Sequence, residues 1–242
     1  MITFVPSRRF SGALLALAFL LNIAQAADPA PAKKKVKKGE WEILFDGTST
    51  DKWRGYKKDS FPAANWKFEE GVLKTNPGAQ PVDLISREQF GDFDLRVEWK
   101  ATPGANSGVI YRASEEFDEP WQTGPEMQVL DDDKHADGKN PKTTSGALYA
   151  LVAPIGKTLK PVGKWNKTRV IARGTHIEHW LNGDKIVEYD TASSDLQDLI
   201  KKSKFAAFPK FARLPSGHIV LQHHKDEVWF RDIKIRTLTA GE

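Results

Sequence analysis

The run E-M-Q-V-L-D-D-D-K-H at residues 126–135 holds the densest set of side chains able to move protons or bind a polar ligand. It opens as a strand, so Met127 and Val129 share one face while Glu126 and Gln128 share the other. A strand that turns Glu and Gln to one side needs a polar surface there, either solvent or a ligand. Glu126 is the candidate base. Asp132 and His135, in the acidic stretch that follows, are candidates for an acid or an orienting partner. Arg112 stands on a strand that could bring a cation near Glu126. Such a cation would stabilise a developing anion and would also lower the glutamate pKa, which weakens it as a base.

Further polar residues are scattered along the chain. Tyr149, close to Gly146, is placed to bond a ligand hydroxyl or to pack. His179 lies between Ile177 and Leu181 on their face, the pattern of a satisfied core histidine as well as of a site residue. Gln222 and His224 share a face and His223 points away, so the adjacent histidines do not ligate one ion from regular strand geometry. Arg231 shares the face of Trp229 and Ile233, either at the surface or as a buried partner for an acid such as Glu126. The Asp131-Asp132-Asp133 triplet has oxygen-ligand chemistry, yet the EF-hand glycine and terminal glutamate are missing. A solvated acidic loop is the expectation, with no metal and no cofactor; a divalent cation such as calcium is the disfavoured alternative.

The elements that must position these groups are strands. Residues 41–45, 66–69, 72–74, 83–86, 93–100, 107–112, 126–130, 147–152, 169–173, 177–181 and 185–189 all read as strands, and 93–100 alternates most clearly. Asn182-Gly183 between two of them is a strong hairpin signal. Residues 218–223 and 228–236 read as two long strands paired across 224–227. One short helix follows Ser193 or Ser194, with Leu196, Leu199 and Ile200 on its buried face, ending near Ser203. There is no βαβ rhythm and no internal repeat. The expected class is all-β, an antiparallel two-sheet sandwich with one short helix.

The first 26 residues read as an export signal: Arg8 and Arg9, an apolar run over 13–23, and Ala24-Gln25-Ala26 as a cleavage pattern. Ser7-Arg8-Arg9-Phe10 half-matches a twin-arginine signal. Residues 27–39 are a Lys/Pro/Ala-rich tether. An exported, periplasmic or secreted domain with no stable membrane span after cleavage is the expectation. The formal net charge of +4 over 242 residues is carried by this leader. Seven of the 36 cations and one of the 32 acids precede residue 39, leaving a net charge of about −2 for the rest, which disfavours nucleic acid as a partner. The chain has no cysteine, hence no disulfides, thiolate nucleophile or lipid-attachment cysteine. Nor does it contain a P-loop, G-x-S-x-G or H-E-x-x-H motif.

Two resemblances bear on function. The spacing Glu126-Met127-Gln128-Val129-Leu130-Asp131 resembles the E-x-D-x-x-E strand of retaining β-glucanases built on jelly rolls, in which a bulge returns the last acid to the first one's face. Gln128 and Asp131 depart from it. A wider likeness runs through Leu44-Phe45-Asp46-Gly47 with Trp53, residues 90–99, Asn106-Ser107-Gly108-Val109 with Arg112, residues 126–132, residues 145–149, residues 177–183, Ser203-Lys204-Phe205, residues 217–222 and 228–231. In that order they resemble the 3-keto-disaccharide hydrolase family over residues 40–238. The resemblance implies a concanavalin A-like jelly roll acting on carbohydrate that a sugar 3-dehydrogenase has oxidised at C3. A C3 ketone acidifies the C2 proton. A base removes it, the C1 substituent leaves by elimination, and water adds to the enone. That chemistry needs a base, an acid and a positive group near the enolate oxygen, but no carboxylate nucleophile. On this reading Glu126 is the base, Asp132 or His135 assists, and Arg112, Gln128, Tyr149, His179, Gln222, His224 and Arg231 line the substrate site. A non-catalytic carbohydrate-binding module and a tethered envelope protein are the alternatives, because sandwiches host all three.

Overall fold

The computed structural model describes Met1 and residues 39–239, and the sandwich is built from the latter. Apart from Met1 and Gly39, the residues read as signal and tether lie outside the described residues. The strands are β1 (Glu42–Phe45), β2 (Trp53–Gly55), β3 (Trp66–Glu69), β4 (Val72–Thr75), β5 (Leu84–Phe90), β6 (Phe93–Ala101), β7 (Asn106–Ala113), β8 (Glu126–Leu130), β9 (Asn166–Arg173), β10 (His176–Leu181) and β11 (Asp184–Asp190). The helix α1 (Ser194–Lys201) and strands β12 (Gly217–Leu221) and β13 (Val228–Thr237) follow. Among the described residues these make two antiparallel sheets. One has eight strands in the order β11-β10-β9-β6-β13-β4-β3, with β1 also on β13; the other has five, β2-β5-β12-β7-β8. The chain is an all-β two-sheet sandwich with one short α-helix.

Period-two patterning builds the core. Phe93, Leu95, Val97 and Trp99 of β6 face inward and pack in one cluster with Val109 and Tyr111 of β7, Met127 and Val129 of β8, and Ile219 and Leu221 of β12. Buried indoles keep their N–H groups bonded: Trp53 donates to the Leu44 carbonyl, Trp66 to that of Val82 and Trp99 to Thr168 Oγ1. The five-stranded sheet is also covered in part on its outer face, where Tyr56, Ile85, Ile110, Ala113 and Val220 form a smaller cluster against Trp121.

The Asn182-Gly183 turn has both residues at positive φ (53° and 106°), the backbone of a tight hairpin. Ser193 caps α1 by accepting from the Leu196 amide. Two expectations fail. Residues 147–152 are not a strand, for only isolated bridges join Met127, Leu148 and Val152, and positive φ at Gly146 and Ala150 turns the chain. Nor do β12 and β13 pair with each other. β12 lies between β5 and β7, while β13 pairs with β6, β4 and β1 in the other sheet. The link between them is tied to both sheets. The His223 amide donates to Asp83 Oδ1, the Asn106 amide to Asp226 Oδ2, and Thr75 Oγ1 to the Asp226 carbonyl. Among the described residues no helix is long and apolar enough to cross a membrane.

Candidate active site

The regular β7–β8 register pairs Ile110 with Glu126 and Gly108 with Gln128, so both polar residues of β8 project from the outer face of the five-stranded sheet. Gly108 is what lets Glu126 lie there: a Cβ on Gly108 would overlap Glu126 Oε1. Glu126 is only 6% exposed, and among the described residues its carboxyl oxygens take part in no hydrogen bond. Burial pushes its pKa up to about 8, with Asp83 and Asp137 adding to the rise and Lys204 opposing it. A carboxyl held in that range can both give and take a proton near neutral pH.

Lys204 is the cation of the site, and α1 is the device that delivers it. Leu196 and Ile200 bury the helix face. Ser203 then donates to the Ile200 carbonyl and accepts the Phe205 amide, starting a 3-10 turn at Lys204. The ammonium sits 4.4 Å from the Trp121 ring centre and 4.6 Å from that of Tyr149. Burial lowers its pKa, against the pull of Glu126 and Asp137. Tyr149 points its hydroxyl at Asp137 Oδ2 (3.4 Å), and burial with the nearby acids raises its pKa to about 12, so it stays a donor.

Gln128 is buried, and neither of its side-chain amide atoms has a hydrogen-bond partner among the described residues. A buried amide left unmade costs about 1–3 kcal/mol. It therefore marks a place where a polar ligand or water belongs. Its backbone is fixed by segment 146–147: the Gly146 amide donates to the Gln128 carbonyl, and the Gln128 amide to that of Ala147.

Beside these groups the outer face opens into a groove of about 570 Å³, lined in part by Asp83, Trp121, Gln222 and His224. Its size suits a small polar ligand. Asp83 immediately precedes β5 and is buried, which raises its pKa to about 7 against the bond from the His223 amide. His135 lies near this end, its ring 6.4 Å from that of His224. Its Nδ1 accepts the Asp137 amide.

Four sequence candidates are spent elsewhere. Arg112 donates to the carbonyls of Gly91 and Gly174 and to Asp92, tying loops together, and its strand position is bent by a positive φ of 50°. His179 is fully buried between the sheets. Its Nδ1 donates to the Gly146 carbonyl, so Nε2 accepts from Tyr111, whose oxygen accepts from Tyr189. Burial lowers its pKa to about 4 and keeps it neutral. Arg231 belongs to the other sheet, paired with Glu98 and stacked 4.0 Å from the Trp165 ring centre. Asp132 is ion-paired with Lys157 at 2.5 Å and accepts the Ser145 amide. The β-glucanase comparison fails at Asp131: no bulge interrupts β7–β8, and this carboxylate accepts the Gly104 and Asp133 amides. A sequence reading misses Lys204, Asp137, Trp121 and Asp83, since only the fold brings them to β8.

A second cleft, about 580 Å³, lies on the eight-stranded sheet, but its charges are mutually paired, as in Arg169–Asp94 and Lys167–Glu98. His176, Glu178 and Glu188 offer atoms within 4.8 Å of one another that could hold a metal; Lys185 already sits 2.6 Å from Glu188 there.

Comparison with known proteins identifies the family and the architecture. Residues 40–236 match the family described as the 3-keto-alpha-glucoside-1,2-lyase-like domain. A 3-keto-disaccharide hydrolase of Bacteroides thetaiotaomicron is 33% identical over 225 residues, covering 81% of this chain and 77% of the relative. A Parabacteroides distasonis protein provisionally assigned as a glycosyl hydrolase has a crystal structure with TM-score 0.76 at 28% identity, covering 82% of this chain and 94% of that one. A Bacillus subtilis protein with a galectin-like fold, 14% identical with TM-score 0.55 over 83% of this chain and 97% of its own, shares the architecture alone. The chain is therefore a carbohydrate-acting hydrolase and belongs to the 3-keto-alpha-glucoside-1,2-lyase-like family.

Proposed function

We propose that the protein cleaves glycosides carrying a ketone at C3, outside the cytoplasm, downstream of a sugar 3-dehydrogenase that makes the ketone. Glu126 takes the C2 proton. Lys204 stabilises the negative charge that develops on the C3 oxygen, the part assigned from sequence to Arg112. Tyr149 and Gln128 bond sugar hydroxyls, and Trp121 supplies a flat apolar wall. The bond from C1 to its oxygen then breaks by elimination, and water adds to the resulting enone.

The observation that carries this reading is a buried, unbonded Glu126 carboxyl with a lysine, seated against aromatic rings, near enough to lower its pKa. An ordinary retaining mechanism needs a second carboxylate about 5–5.5 Å away as partner, and Asp131 is committed to backbone amides. The test is to offer the purified protein a 3-keto-glucoside and its unoxidised parent. Turnover of the keto form alone, lost in Glu126→Gln, supports the proposal. Equal turnover of both, or binding without turnover, overturns it.

A further inference from the structure

We propose that Asp83 is the second acid–base carboxyl of this site, standing on the same outer sheet face as Glu126 and protonating the departing C1 oxygen. The inference rests on the 3-keto reading above and adds the proton donor which that reading lacks.

Asp83 has the placement. It is two residues before Ile85, whose side chain belongs to the outer-face cluster, so strand alternation turns it to the same face as Glu126. It lines the groove with Trp121, Gln222 and His224. β12 and β7 separate its strand from β8. Three inter-strand steps amount to about 14 Å between backbones, which leaves room for a sugar ring between the two carboxyls. The Asp83 charge reaches Glu126 and raises its pKa.

Asp83 is also poorly explained as a structural residue. A buried carboxylate is ordinarily matched by a cation or by several donors. Among the described residues Asp83 accepts one bond, from the His223 amide at 2.7 Å, and pairs with no cation. Its second oxygen has no hydrogen-bond partner among the described residues. Burial lifts it to about 7 and Glu126 to about 8, so both carboxyls can hold or release a proton close to neutral pH.

In a glycoside whose C2–H and C1–O bonds point to opposite ring faces, base and acid must stand on opposite sides. Glu126 carboxylate takes the C2 proton, and the C–H electron pair becomes the C1=C2 bond. The C1–O bond breaks with its pair on oxygen, and Asp83 as the acid gives that oxygen its proton. In the hydration half, Asp83 carboxylate takes a proton from water as its oxygen bonds to C1, and Glu126 returns its proton to C2. Nothing is oxidised or reduced.

The test compares two leaving groups in one variant, Asp83→Asn, which keeps an acceptor for the His223 amide. Methyl and 4-nitrophenyl 3-keto-α-glucosides serve as substrates, because nitrophenolate leaves without a proton. The expected result is a loss in kcat/KM of about 100-fold for the methyl glycoside and under about fivefold for the nitrophenyl one. That ratio does not depend on how much of the variant is folded. In D₂O, exchange of the C2 proton of 3-keto-1,5-anhydroglucitol, which has no leaving group, should persist in Asp83→Asn and vanish in Glu126→Gln. Equal losses on both glycosides, or no loss on either, overturn the role of Asp83. Inactivity of the unsubstituted protein on every 3-keto-glycoside overturns instead the substrate reading on which it rests.

Discussion

Gly108 and Glu126 fill complementary volumes: the carboxyl lies over the bare Cα of the neighbouring strand, where a methyl group would meet Oε1. Gly108 is thus required by the space above it. The expected effect of Gly108→Ala is a fall in kcat/KM of about 100-fold from displacement of the base. Its cost in stability should be small, on the order of 1 kcal/mol, because overpacking is offset by the better strand conformation of alanine. Steady-state kinetics beside a melting curve checks both halves. An unchanged kcat/KM would show that the carboxyl is not held where the chemistry occurs.

Lys204→Met keeps much of the apolar stem and removes the charge over Trp121 and Tyr149. Loss of one group that stabilises an oxyanion costs about 100- to 1,000-fold in kcat. Because Lys204 lowers the Glu126 pKa, its removal should also raise the pH at which Glu126 becomes a working base, read as an upward shift in the ionisation that Glu126 contributes to the pH–rate profile. A KM effect alone would make it a binding residue.

The pH dependence of stability has a definite sign. Glu126 sits near pKa 8 in the fold, facing Lys204, Asp83, Asp137 and Tyr149, against 4.5 for a solvated glutamate side chain. The unfolded chain therefore loses this proton first. The stability associated with the protonated group is fully present below about pH 4.5 and is lost as pH rises through 8. Glu126→Gln removes the effect, so its advantage over the parent protein should grow from pH 5 to pH 8, reaching on the order of 4 kcal/mol. Chemical denaturation at several pH values measures it; a constant difference would contradict the raised pKa.

Gln128→Leu should fold at least as well as the parent, by about 1–2 kcal/mol, because it deletes a buried amide without partners. The same change should raise KM about tenfold or more if the amide bonds substrate hydroxyls. Denaturation midpoints and KM together separate a ligand contact from a packing residue.

Arg112→Ala is expected to behave oppositely. It leaves the Gly91 and Gly174 carbonyls without their donor, at a cost of about 2–4 kcal/mol, while activity per folded molecule stays within about threefold of the parent. A selective collapse of kcat would return Arg112 to the active site.

The strands that carry the fold were legible because their alternation is strong, as in Phe93, Leu95, Val97 and Trp99. Glu126 and Gln128 were legible on the same ground, since a one-residue alternation fixes their face once β8 is recognised. Sheet membership was not. The two C-terminal strands look like a hairpin, yet His223 ties the link to the five-stranded sheet through Asp83 and the Asp226 carbonyl ties it to the eight-stranded sheet through Thr75, and such long-range bonds leave no local pattern. Lys204 follows a helix whose sequence reports only its buried face, and Asp83 precedes a strand far from β8 in the chain. Arg112 and His179 misled because a polar residue on a strand shows its phase but not its partner.

Between β5, which Asp83 precedes, and the strand of Glu126 run β12 and β7, with Val220 and Ile110 on the outer face beside Ile85. These aliphatic side chains are fully buried against Tyr56 and Trp121, so the aromatic lining of the groove is bedded on residues that carry no acid. Trimming Val220 to alanine would let the aromatic rings settle inward, and enlarging it to isoleucine would push them outward, with both acids untouched. The width of the groove can thus be tuned from below by the size of one hydrocarbon side chain, independently of the proton chemistry.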